Sequence, residues 1–283
     1  MIRIIRMRPQ DIALSVRLSN REGWGTPSSD FERILELNPR GSFVALLNRS
    51  RVGIITTVAY GRELAWIGNV IVDKNHRGKH VGRALVERAL AYLKSRRVKH
   101  VGLYCFSNNV GFYRRLGFVK ETEFVRLRRE PANTSFVRAL NNLDALTVSQ
   151  LVELDRKCFG VDRSRLLRSL IAKGHARYYG LSTEVSVAFL IVKKYGDMYD
   201  FGPGAAVNVS KKQLNDLIGL AISRIRIEKP IELSCLTKNR DVLQLLKGRG
   251  FRVMNRGYRM YLYSRARLGS DNANFLLGFQ DKG

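Results

Sequence analysis

Arg77-Gly78-Lys79-His80-Val81-Gly82-Arg83 is the stretch on which the fold turns. It follows an apolar run, Trp66 to Val72, and opens a segment with apolar residues at helical spacing, Ala84 to Leu93. The order predicts a strand, a glycine-bearing turn and a helix start. A helix start carries unpaired backbone N–H groups and the positive end of the helix dipole. Glycines let a phosphate approach that backbone closely. The reading is therefore a site for a phosphorylated cofactor.

Two common phosphate sites do not fit. A nucleotide P-loop needs Gly-Lys-Ser/Thr after its glycines, and the chain has none there. A dinucleotide fold needs G-x-G-x-x-G in an early parallel βαβ unit. Here the glycine spacing differs, and several strands precede the turn without intervening helices. Working outward, Ile2 to Arg8 alternates like a strand, and Asp11 to Arg21 has helical spacing. Asp30 reads as the N-cap of a helix running to Leu37. Ser42 to Leu47 and Val52 to Ala59 form a hairpin around Asn48-Arg49-Ser50-Arg51, and Glu63 to Val72 is a third strand. After the turn come a helix from Arg83 to Arg96 and a strand from Val101 to Phe106. A short helix around Val110 to Leu116 then stops at Gly117, before a strand from Phe118 to Leu127.

The chain then begins again. Glu130-Pro131-Ala132-Asn133-Thr134 reads as a linker, Phe136 to Leu140 as a strand and Val148 to Lys157 as a helix. Leu103-Tyr104-Cys105-Phe106-Ser107 is similar to Leu233-Ser234-Cys235-Leu236-Thr237. An apolar-periodic stretch follows each, ending in Gly117-Phe118 or Gly250-Phe251. This order argues for an internal repeat of about 130 residues. The second copy lacks the basic glycine turn. Phe201-Gly202-Pro203-Gly204-Ala205-Ala206-Val207 stands in its place and reads as a turn with no cation beside it.

Composition bounds the rest. At 283 residues and 45% hydrophobic content the chain fits two globular domains. The formal charge is +26, with 25 Lys/Arg against 11 Asp/Glu in residues 1–133 and 25 against 13 in residues 134–283. The excess is spread evenly, so no basic tail carries it. Such a field attracts polyanions, and nucleic acid stands as a partner that the charge allows; a soluble Arg-rich surface is the plainer account. The cluster Arg126/Arg128/Arg129 and the pair Arg265/Arg267 read as solvated charge. Three well-separated cysteines, Cys105, Cys158 and Cys235, read as buried thiols, and no histidine has zinc-ligand spacing, so no metal is expected. The first twenty residues lack a signal-peptide pattern and no run is apolar enough to span a membrane, which points to the cytoplasm.

With Val70-Ile71-Val72-Asp73 ahead of the turn and Val110-Gly111-Phe112-Tyr113-Arg114-Arg115-Leu116-Gly117-Phe118 behind the next strand, the chain resembles the GNAT N-acetyltransferase superfamily. It does so as two tandem copies. The C-terminal one is similar to the degenerate second domain of a two-domain subgroup, best over Asp155 to Leu167. The resemblance implies a mixed α/β fold in which each domain has a mostly antiparallel twisted sheet flanked by helices. It divides the chain into a catalytic domain at 1–130, a degenerate domain at 135–265 and a tail at 266–283. It implies acetyl-CoA as cosubstrate and, as acceptor, a primary amine of a small molecule or protein, with the protein a monomer or homodimer. Other roles for the same fold are association with tRNA or chromatin, or CoA sensing without turnover.

On that resemblance the N–H groups of Gly78, Lys79, His80, Val81 and Gly82 bind the pyrophosphate, aided by the cations Arg77, Lys79 and Arg83. The backbone of Val70, Ile71 and Val72 pairs with the pantetheine arm. Tyr113 matches the position that protonates the leaving thiolate; its alternative role is as a packing ring. Two departures stand out. His80 occupies a position usually held by Gly, and Phe106 stands where the family often has Asn, leaving Asn109 as the nearest substitute. The second copy keeps that Asn, as Asn239, and loses the Tyr to Leu246. The base is hard to place: Glu63 is either a base reached through water or a solvated turn carboxylate. Asn69 either orients the substrate or closes a strand bulge. Trp24 either walls the acceptor site or packs in the core. Asp162 and Arg163 either face the acceptor or cap a helix at Ser164.

Overall fold

The computed structural model describes residues 1–131, 146–225, 228–263, 268–278 and 281–283. The expected strand at 136–140, most of the expected linker and the Arg265/Arg267 pair lie outside the described residues. The chain forms two compact units. The first is Met1–Glu121 with Arg259–Ala266 and Gln280–Gly283, and the second is Thr122–Tyr258 with Arg267–Phe279. This division differs from the one expected at 130 and 265, because a strand joins a sheet by hydrogen bonding and takes no account of sequence distance. Both units are mixed α/β, with mostly antiparallel sheets flanked by helices.

In the first unit, β1 (Ile2–Arg6), β2 (Phe43–Leu47), β3 (Ser50–Tyr60) and β4 (Leu64–Val72) are successive antiparallel neighbours. Asn48 and Arg49 both adopt left-handed φ, 49° and 70°, the geometry of a two-residue hairpin turn. β5 (His100–Phe106) then pairs with β4 in parallel. Helices α1 (Ile12–Arg21) and α2 (Ser28–Leu37) cover one face. There Met7, Leu14, Leu18, Phe31, Val44, Ile54 and Ile71 form a buried cluster. α3 (Val81–Ser95) covers the other face, with Leu85 beside Gly53. α2 begins at Ser28, so Asp30 is not the cap but lies inside the first turn; Pro27, extended at ψ 159°, sets the earlier start. After α4 (Val110–Arg114), Gly117 takes φ 90° and stops the helix. Tyr261 packs edge-on against Trp66 in this unit.

The second unit repeats the plan. β6 (Phe118–Arg129) continues into it, followed by α5 (Val148–Phe159), α6 (Ser164–Ala172), β7 (Ala176–Ser182), β8 (Val187–Tyr195) and β9 (Met198–Val207). Then come α7 (Lys211–Ser223), β10 (Ile231–Leu236), α8 (Arg240–Gly248), β11 (Arg252–Leu262), whose residues from Arg259 on belong to the first unit, and β12 (Asn274–Leu276). β9 and β10 are parallel, as β4 and β5 are, and Cys235 occupies the place in β10 that Cys105 has in β5. Arg126 and Arg128 are not simply solvated: on β6 they pair with Glu232 of the neighbouring β10, and Arg128 also with Glu130. No described helix is long and apolar enough to cross a membrane.

Candidate functional site

The parallel pairing of β4 with β5 runs from Leu64–His100 to Ile67–Leu103 and stops there, although both strands continue. Beyond Ile67 the two strands splay. On the other side of β4 the register with β3 jumps from Ile54↔Ile71 to Thr56↔Gly68. One residue of β3 therefore faces two of β4, a bulge at Asn69 and Val70. Asn69 takes the left-handed φ of 48° there and is buried; its amide Nδ2 donates to Thr56 Oγ1 at 3.0 Å. The bulge accounts for this polar residue in an apolar strand. The splay leaves the backbone of Val70 to Val72 without a β5 partner.

The turn leads directly from this open edge. Asp73 ends β4, and its carboxyl is held below the usual carboxylate range by the Asn75 backbone N–H and then by His76 and Arg21. Gly78 and His80 both take left-handed φ, 77° and 59°. A non-glycine residue there carries strain, so the substitution at the usual glycine position is real and borne by the backbone. The first bond of α3 joins the Ala84 N–H to the His80 carbonyl at 3.1 Å. The N–H groups of Val81, Gly82 and Arg83 precede it and open out of the helix end. The cations are placed less simply than the sequence implied. Arg77 donates from Nε to the Val72 carbonyl at 3.1 Å and pairs with Glu22, while Arg83 pairs with Glu87 at 2.7 Å along the helix. Lys79 lies exposed, with Nζ 3.4 Å from the Asn75 carbonyl.

A Cβ added at Gly82 would sit 3.5 Å from Cζ of Phe112 and 3.7 Å from Cγ2 of Val72. The start of α3, the end of β4 and α4 thus converge around this glycine. Tyr113, next to Phe112, is 8% exposed; its ring is edge-on to Phe112 at 5.0 Å and to Phe118 at 5.8 Å. Burial pushes its phenol well above the ordinary tyrosine value, and Cys105 adds to this. Among the described residues its hydroxyl has no hydrogen-bond partner. Asn109 caps the start of α4 with an exposed side chain that makes no capping bond.

The fold does not bring Glu63 to the splay. Glu63 precedes the opposite end of β4, seven residues before Val70, which is roughly 23 Å of extended strand. It is partly exposed and paired with Lys99 at 2.8 Å, a hydrogen bond that lowers its pKa. Its pairing with Lys99 is that of a turn carboxylate, away from the splayed half of β4. Trp24 is half-buried against the cluster that holds Met7, Phe31 and Ile71, the last in the splayed half of β4.

Asp30, whose sequence context suggests only a cap, is buried and bonded to Arg33 and to Lys282. Asp281 and Lys282 belong to the first unit and lie on β4: a Cβ at Gly68 would be 2.4 Å from the Asp281 carbonyl oxygen. The bare Gly68 is the one local signal for this, and it does not name what covers it.

The second unit has the same splay and fills it. β9 and β10 pair from Tyr199–Ile231 to Phe201–Leu233 and then part. Phe201 to Val207, expected as a turn, lies within strand β9, and β12 adds to that strand antiparallel at Gly204 and Ala205. Its neighbour Leu277 donates an N–H to the Ser234 carbonyl of β10 at 2.8 Å. The glycines serve this close approach. A Cβ at Gly204 would lie 2.6 Å from the Phe275 ring and one at Gly202 would lie 2.3 Å from the Leu277 carbonyl. Asn239 ties the segment down, donating to the carbonyls of Asp271 at 3.1 Å and Asn274 at 3.2 Å. Asp162 accepts from the Ser164 N–H at 2.8 Å at the head of α6, and Arg163 is buried against Asp155 through bonds of 2.8 and 2.7 Å. The capping reading holds for Asp162, and Arg163 is a core ion pair.

Comparison with known proteins accords with this geometry. Residues 12–118 match the model of the acetyltransferase (GNAT) family, and residues 151–275 match an acetyltransferase (GNAT) domain model. The chain belongs to the GNAT acetyltransferase superfamily. Holothin acyltransferase of a Pseudoalteromonas species is 23% identical over 85% of this GNAT chain and 81% of its own. Serotonin N-acetyltransferase 2 of rice is 36% identical over 25% of this chain and 38% of its own length. A crystal structure of a candidate acetyltransferase from Pyrococcus horikoshii superposes with TM-score 0.80 at 25% identity, covering 100% of this chain and 96% of that one. The GNAT protein described here is thus a tandem one whose two splays differ: in the first, Asp281 rests on Gly68 and Val70 to Val72 have no β5 partner, and the second is filled by a strand.

Proposed function

We propose that the first unit transfers an acetyl group from acetyl-CoA to a primary amine by direct attack. The observation that carries this is the splay after Ile67 and Leu103, which leaves an unpaired β4 edge leading into the N-terminal end of α3. In this reading the free N–H groups of Gly78 to Gly82 hold the pyrophosphate. The backbone of Val70 to Val72 aligns the arm that carries the thioester. Acetyl-CoA supplies the activated acyl group. The chain supplies alignment, an N–H at the Asn69–Val70 bulge for charge growing on the carbonyl oxygen, and the Tyr113 hydroxyl for the departing sulfur. The relatives named for acyl transfer support the reaction class, and serotonin N-acetyltransferase is one whose name carries an amine.

Titration calorimetry with acetyl-CoA tests the site. The unaltered chain binds, and Gly82→Trp, which drives an indole between Val72 and Phe112, removes binding. A thiol-release screen of acetyl-CoA against a panel of primary amines tests the reaction. An unaltered chain that binds no acetyl-CoA would overturn the proposal.

A further inference from the structure

Beside Gly68 and Asn69 of β4 lie four charges, of which Asp30, Arg33 and Lys282 are buried and Asp281 is partly buried. Asp30 is 4% exposed and Arg33 beside it 1%. Lys282, also 1% exposed, places Nζ 3.1 Å from Asp30 Oδ2 and 2.9 and 2.7 Å from the Asp281 oxygens. Asp281 Oδ2 accepts from Asn69 Nδ2 at 3.0 Å, and the Lys282 carbonyl accepts from the Tyr60 hydroxyl. A primary alkylammonium is therefore held between two carboxylates, and one of these is bonded to the bulge residue itself. A buried cation stays only where such groups compensate its desolvation. Burial works to lower the Lys282 pKa, but Asp281 and Asp30 outweigh it and hold the amine above the ordinary lysine value.

We propose that Asp30 and Asp281 form a binding site for a primary alkylammonium of the lysine side-chain type, with Lys282 its resident occupant. The acceptor reaches the bulge by displacing Lys282. Two properties of the cluster fit an exchangeable occupant. Asp30, Arg33, Asp281 and Lys282 together are neutral, so one ammonium replaces another without leaving a buried charge unpaired. Arg33 and Asn69 keep the two carboxylates bonded while Lys282 is out. Lys282, like any ligand held there as an ammonium, has no lone pair with which to attack a thioester, so an acceptor reacts only after giving up that proton to solvent. Calling the incoming ligand an acceptor rests on the acetyl-transfer reading; the ammonium site itself does not.

The test uses calorimetry on the full chain with Nα-acetyl-lysine methylamide as probe and its norleucine analogue as the control without an amine. Lys282→Ala binds the lysine probe about tenfold more tightly than the unaltered chain, the factor expected if Lys282 occupies the site about nine-tenths of the time. Adding Asp30→Asn removes that gain, and the norleucine control shows none. Equal affinity in the unaltered and Lys282→Ala chains, or a gain that survives Asp30→Asn, overturns the proposal. A second measurement needs no variant. Acetic anhydride labelling followed by peptide mass spectrometry finds Lys282 protected in the unaltered chain and labelled several-fold more with saturating probe. Labelling that ignores the probe overturns the proposal equally. Neither readout uses acetyl-CoA, so a chain that passes both tests yet releases no thiol would lose the acetyl-transfer reading and keep the ammonium site.

Discussion

Tyr113→Phe separates chemistry from packing at the proposed site. The substitution removes one oxygen and keeps the ring, so the edge-on contacts with Phe112 at 5.0 Å and Phe118 at 5.8 Å survive. No described group hydrogen-bonds that oxygen, so none is orphaned, and the folding free energy should change by less than about 1 kcal/mol. The kinetic loss should be much larger. A positioned proton donor contributes about 10² to 10⁴ in rate, at least about 2.7 kcal/mol of barrier. A role as acid requires the phenol to be protonated. Burial, then Cys105, raise its pKa, so it stays protonated well past the ordinary tyrosine value of about 10. The ratio of kcat between the two chains should therefore be flat from about pH 7 to 9. The assay is thiol release at saturating acetyl-CoA, alongside calorimetric affinity for acetyl-CoA and a urea unfolding curve. An unchanged kcat, or a loss of affinity equal to the loss of kcat, would refute the role given to the hydroxyl.

Three further outcomes follow from the structure. His80→Gly relieves the left-handed φ of 59°, worth about 1–2 kcal/mol, against about 0.4–1 kcal/mol of added chain entropy. The urea midpoint should rise slightly, and a fall would contradict the strain. Asp155→Ala leaves the buried Arg163 without its carboxylate and should cost about 3–5 kcal/mol. Circular dichroism is the probe to use, because both tryptophans, Trp24 and Trp66, lie in the first unit. Phe275→Ala empties the position that β12 fills and should cost about 3–5 kcal/mol. Hydrogen exchange at the Leu277 amide should accelerate with it, and retained protection there would refute the account of the closed splay.

The parts of the site legible in the chain are those with local causes. Glycines and cations around residues 77–83, between an apolar run and a helical periodicity, announce a strand, turn and helix start wherever they occur. The repeat was visible because Leu103 to Ser107 and Leu233 to Thr237 keep their apolar pattern. Asn69 drew notice as a polar residue among apolar neighbours, and the left-handed bulge is its physical reason. Where sequence reading failed, the cause was distant. Phe201 to Val207 has the composition of a turn, but its glycines make room for Phe275 and Leu277, some seventy residues on. The separation of Glu63 from the splay is set by where β4 parts from β5, which no residue near Glu63 signals. Asp30 looked like a cap because Lys282, its partner, is remote in sequence.

The sequence alone determined the strand–turn–helix unit, the tandem repeat and the loss of the basic turn from the second copy. These follow from propensity and periodicity within a few neighbouring residues. Tertiary structure alone decided what occupies each splay. In the second unit β12 adds to β9, and in the first Asp281 rests on Gly68 and Asn69. Both arrangements join residues that only folding brings within bonding distance, and a glycine marks the room for such an approach without naming what fills it.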